Sequence, residues 1–171
     1  MSSKWINLII IGLAVTVMQM FIANGLNFYG LFNPKIFPVF LLLLPREIKP
    51  VYSMLIGFFY GAIIDLLCNT YGFAIAASVF ICFVKPYILH FIYNKSVEEE
   101  SEIGVKIQGE NFIMTYLLIG LFLFHLFYFF VELGELANVF YILLKTILST
   151  LLALILYVIF YMLFFSIPKR K

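Results

Sequence analysis

The stretch "LNFYGLFNPKIFPVFLLLLP", residues 26–45, decides the fold, because the number of membrane crossings turns on it. Apolar residues flank Asn33-Pro34-Lys35 on both sides, and only Ile36 to Leu44 form a continuous apolar run. A membrane helix needs about 20 mostly apolar residues to cross a hydrocarbon core of about 30 Å. Five other runs meet that length, at about 5–23, 51–68, 72–93, 112–131 and 139–165. The stretch at 26–45 reads as a short or broken helix preceded by a re-entrant turn. Irregular backbone of that kind is tolerated at membrane depth only where other helices or a cavity cover it.

Charge bias chooses between five spans and six. With six spans and a cytoplasmic N-terminus, the inside segments carry Lys4, Arg46, Lys49, Lys95, Lys106, Lys169, Arg170 and Lys171, and the outside segments only Lys35. That is a strong positive-inside asymmetry. If the short segment fails to cross, Lys4 and the terminal "KRK" fall on opposite sides and the asymmetry dissolves. The expectation is therefore an all-α polytopic membrane protein of six spans, the second short or broken, with both termini in the cytoplasm.

Composition supports a lipid solvent. Of 171 residues, 64% are hydrophobic and 12% charged, against about 25% charged in a soluble domain. The length suits one integral membrane domain over 1–171, with an acidic cytoplasmic loop at 94–111 joining two three-helix halves. A net charge of +2 gives no reason to expect a nucleic-acid partner. Cys68 and Cys82 lie in apolar segments without metal-ligand spacing and read as small packing residues. The first apolar run is longer than a signal-peptide core and lacks an A-x-A pattern, so it is expected to stay as a membrane helix.

Charges inside lipid are costly, about 2.5–3.5 kcal/mol at mid-helix on insertion scales, and each calls for a partner. The candidates are Asp65, Lys85, His125 and Lys145. At 1.5 Å per residue, Asp65 sits about 5 Å from the outer end of the third helix, and Lys145 about 9 Å inside the outer end of the sixth. An Asp65–Lys145 ion pair is expected, with Lys35 as the fallback partner. Lys35, Asp65, His125 and Lys145 together form a candidate outer polar cluster. Lys85 is expected to snorkel toward the cytoplasm.

Gly57, Gly61 and Asp65 recur every four residues and share one helix face, a small surface that admits a close helix neighbour. That neighbour is either a helix of the same chain, such as the one bearing Gly72, Ala74, Ala76, Ala77 and Ser78, or another protein. Pro86, inside the fourth helix, removes one backbone bond and predicts a kink; Pro38 is expected to bend the second.

Catalysis finds no support in the residues. One aspartate cannot make an intramembrane aspartyl protease, no serine lies in a rhomboid-type setting, and no HExxH, P-loop or dinucleotide fingerprint occurs. No metal site or cofactor is expected.

The ordered set Pro38, Pro45, Gly57, Gly61, Asp65 and Gly72, followed by an alanine-rich fourth helix, resembles the rod shape-determining MreD family over roughly residues 25–90. The resemblance implies a non-catalytic scaffold in the bacterial inner membrane. It would bind the bitopic protein MreC and link the actin-like MreB to the peptidoglycan polymerase and transpeptidase pair, and so maintain cell shape. It also implies a bundle akin to the substrate-binding subunits of energy-coupling-factor vitamin transporters. Those subunits supply the alternative function, small-molecule binding at the outer cluster. Against it, Ala14 and Ala23 have the wrong spacing for the coupling face such subunits carry in their first helix.

Overall fold

The structure, a computed structural model, describes residues 2–23, 25, 33–92, 109–134 and 139–165. Helix α1 spans Ser2–Met18 and runs on into a π-helical turn, Gln19–Ala23. It is followed by α2 (Pro38–Leu42), α3 (Pro50–Cys68), α4 (Phe73–Ile92), α5 (Glu110–Leu133) and α6 (Val139–Phe165). The acidic loop expected at 94–111 lies outside the described residues except for its last three, and so does the basic C-terminus.

Helices α3 to α6 are the four described helices long and apolar enough to cross a membrane. Their exposed surfaces are apolar, with Leu66 at 81% and Phe91 at 84% exposure. Water would not tolerate such faces in a folded chain, whereas lipid tails do. This is a helical membrane protein.

The expected short second helix is shorter than anticipated. Its five residues rise only about 7.5 Å, a quarter of a hydrocarbon core. Asn33 to Ile36 ahead of it carry no helical assignment, and the chain beyond Leu43 turns and bends to Lys49. Pro38 does not bend a helix but begins one: it occupies the first turn of α2, where a missing N–H costs nothing. Far from facing lipid, the segment is the centre of the molecule. Every residue from Pro34 to Val39 is buried, and Phe37 and Leu42 have no exposed surface. Its side chains enter notches on neighbouring helices: the Phe40 ring lies over Gly12 of α1, and Leu42 lies over Gly120 of α5.

Around this hub α4 packs against α3 and α5, and α5 against α6. Helices α3 and α4 form a hairpin through residues 69–72. Asn69 ends α3 in the left-handed conformation (φ 53°), and Gly72 enters α4 at φ 92°, both in the region that Asn and Gly tolerate best. Helix α4 runs through Pro86 to Ile92.

Candidate functional site

The Gly57/Gly61 face is settled by its neighbours. A Cβ on Gly61 would lie 2.7 Å from Ile75 Cα and 2.8 Å from the Ala74 carbonyl oxygen; one on Gly57 would lie 2.8 Å from the Ser78 carbonyl oxygen. The glycines are therefore the seam along which α3 lies on α4 of the same chain, and they are not open to a partner protein. Gly72 belongs to the turn, not to the seam.

Asp65 completes this hairpin. Its Oδ1 accepts from the Thr70 hydroxyl and from the Ala74 N–H at 3.1 Å, and its Oδ2 accepts from the Ile75 N–H at 2.9 Å. Ala74 and Ile75 lie in the first turn of α4, whose N–H groups have no helical acceptor. The carboxylate thus caps the next helix from the last turn of its own. The expected Asp65–Lys145 ion pair is replaced on both sides: Lys145 Nζ meets Glu132 Oε2 at 2.9 Å and lies 4.5 Å over the Phe129 ring. Depth counting points to Asp65 because Asp65 and Lys145 lie at similar depth, and it leaves Glu132 out. Glu132 is in the last turn of α5, across the α5–α6 connection from Lys145.

His125 is fully buried and lies in the middle of α5. Its Nε2 accepts the Lys35 N–H at 3.0 Å, and its Nδ1 lies 2.8 Å from the Leu121 carbonyl oxygen and 3.3 Å from Thr150 Oγ1. An Nε2 that accepts is unprotonated, so the proton sits on Nδ1 and is donated to Leu121. Gln19, in the π-helical turn, extends the pattern: its Oε1 accepts from the Ile36 N–H at 2.7 Å and its Nε2 donates to the Pro34 carbonyl at 3.4 Å. Ser149 of α6 accepts from the Asn33 N–H at 3.1 Å. Three helices therefore supply the hydrogen bonds that the extended segment cannot make for itself.

The other end of α2 is served in the same way. Lys85 reaches toward that end but stops at backbone carbonyls rather than in water. It is 5% exposed, and its ammonium donates to the Leu44 carbonyl and, at 3.3 Å, to that of Leu41. The Tyr116 hydroxyl donates to the Leu42 carbonyl at 2.8 Å. A helix this short leaves its final carbonyls without donors, and a cation is the best partner a helix C-terminus can have.

The outer cluster is drawn together in part. Lys35 is buried with its ammonium 5.1 Å from the Tyr128 ring centroid. His125 touches Lys35 through backbone only. Gln19, Thr70, Tyr116, Glu132 and Ser149 were not singled out from sequence. A signal existed for Gln19, since an amide in an apolar run needs partners when buried. No group of three or more potential metal ligands occurs among the described residues. Compared with family models, curated proteins and solved structures, the chain gives no match.

Proposed function

We propose that the chain is a non-catalytic scaffold of the MreD type, a six-span component of the bacterial inner membrane with both termini in the cytoplasm. In this reading the broken segment counts as the second crossing and the bundle is akin to the transporter substrate-binding subunits. The protein holds MreC, and through it couples MreB to the peptidoglycan polymerase and transpeptidase pair. The observation that carries the reading is the commitment of intramembrane polar side chains to the chain's own backbone. Gln19, Asp65, Lys85 and His125 each hold a helix end or the broken segment. Such a pattern builds a rigid membrane body, with these four side chains bonded to backbone groups. With the Gly57/Gly61 seam occupied by α4, the MreC helix docks on another face.

The vitamin-binding alternative has less support. The end where its ligand would sit is filled by Lys35 against Tyr128 and Lys145 against Phe129. Depletion in a rod-shaped host tests the proposal: cells should round up, and the protein should co-purify with a bitopic coiled-coil partner. Rods that persist, or a vitamin retained through purification, would overturn it.

A further inference from the structure

At the end of the bundle opposite Asp65, where α3 begins and α4 finishes, a cleft of about 580 Å³ opens between Pro45 and His90. Its volume is within the ordinary range for small-ligand sites, about 300–1,000 Å³. The lining includes Arg46, Pro50, Ser53, Cys82, Lys85 and His90, with no Asp or Glu among the described residues. Glu47, next along the chain, is exposed to solvent.

Three independent features give the cleft one chemical preference. Lys85, at its wall, is buried with carbonyl oxygens as its hydrogen-bond acceptors. Carbonyl dipoles orient an ammonium but do not neutralise it, and among the described residues no carboxylate pairs with it, an arrangement that is costly for a buried cation. Two of its three protons are used, which leaves one to donate. Ser53 is 5% exposed, and its buried hydroxyl sits beside the Cys82 thiol with no hydrogen bond of normal geometry. Finally, α3 starts at Pro50 with Lys49 as N-cap and no side-chain capping bond, so the positive end of that helix faces this region uncapped.

We propose that this cleft binds a phosphate group, presented by an anionic phospholipid. The site lies at the level where two membrane helices end, which is where headgroups lie, and at the end that the positive-inside bias assigns to the cytoplasm. Lys85 and Arg46 supply charge, Ser53 a hydroxyl, and His90 closes the rim. Basic pockets between membrane helices hold headgroup phosphates by this chemistry.

Native mass spectrometry and thermal unfolding of the purified full chain test it, with phosphatidylglycerol, phosphatidylcholine and inorganic pyrophosphate as probes. Phosphatidylglycerol should remain bound and raise the unfolding midpoint, while phosphatidylcholine does neither. Arg46→Gln should weaken phosphatidylglycerol binding about fivefold, the effect of removing one interfacial cation, and Ser53→Leu should exclude it by filling the cleft. Lys85→Met also removes the cap on α2, so Arg46→Gln and Ser53→Leu are the deciding variants. Stabilisation by pyrophosphate alone would uphold the phosphate site and overturn the lipid source. No stabilisation by either probe, or equal lipid binding in both variants and the parent, would overturn the proposal.

Discussion

Asp65 Oδ2 accepts the Ile75 N–H at 2.9 Å across the α3–α4 turn, so the chain's only aspartate closes one membrane helix and opens the next. The residue acts as an N-cap supplied from the preceding helix. Asp65→Ala should lower stability by about 2 kcal/mol, at the upper end of cap removals, and Asp65→Asn, which keeps one acceptor oxygen, by about 1 kcal/mol. Unfolding in detergent measures both. The reciprocal exchange Asp65→Lys with Lys145→Asp should be worse than either single change; recovery by the double variant would revive the ion pair.

Gly61 tolerates no side chain. A Cβ there would press on the backbone of α4, which has no rotamer to change. Gly61→Leu should cost roughly 3 kcal/mol, the upper range for overpacking. For Gly120→Ala the three nearest atoms all belong to the Leu42 side chain, and the change should cost about 1 kcal/mol, since Leu42 can shift. Equal losses at the two positions in a thermal unfolding series would refute this distinction between backbone and side-chain neighbours.

Lys145 and Glu132 are a partly buried pair, with side-chain exposures of 8% and 24%. A double-mutant cycle of Lys145→Met and Glu132→Gln should return a coupling of about 1 kcal/mol, the scale for polar pairs in membrane bundles. The same cycle between Lys145→Met and Asp65→Asn should return about zero, because neither residue bonds to the other.

His125→Gln retains an acceptor for the Lys35 N–H, and His125→Phe does not. The Phe variant leaves a buried N–H without a partner, at about 1–3 kcal/mol, and should be the less stable of the two. Backbone amide exchange at Lys35 gives a local reading: protection should fall at that position in His125→Phe and largely persist in His125→Gln.

Long elements were legible in the sequence and short ones were not. The apolar runs expected at 51–68, 72–93, 112–131 and 139–165 match α3 to α6 to within three residues at every end, because hydropathy over about 20 residues is a strong signal. The glycine spacing at 57 and 61 correctly marked a close contact but could not name its occupant, which depends on the turn at 69–72 bringing α4 back. The partners of Asp65 and Lys85 were missed for one shared reason, and that of Lys145 because depth counting leaves Glu132 out. Depth counting compares side chains with one another, yet Asp65 and Lys85 bond to backbone groups that only the fold leaves exposed. Carbonyls at Leu41 and Leu44 become acceptors because α2 stops after five residues, and apolar composition gave no warning of that stop.

The broken segment has a consequence for biogenesis. Residues 33–44 emerge from the ribosome after Gln19 but before the other groups that hold them: His125 and Tyr116 belong to α5 and Ser149 to α6, separated from their contacts by 90, 74 and 116 residues. Lipid cannot satisfy its bare N–H and carbonyl groups in the meantime. The segment must therefore wait in water or at the headgroup layer until the last two helices are inserted, and then be drawn in between them. Its entry adds a common centre to helices that already pack pairwise on one another.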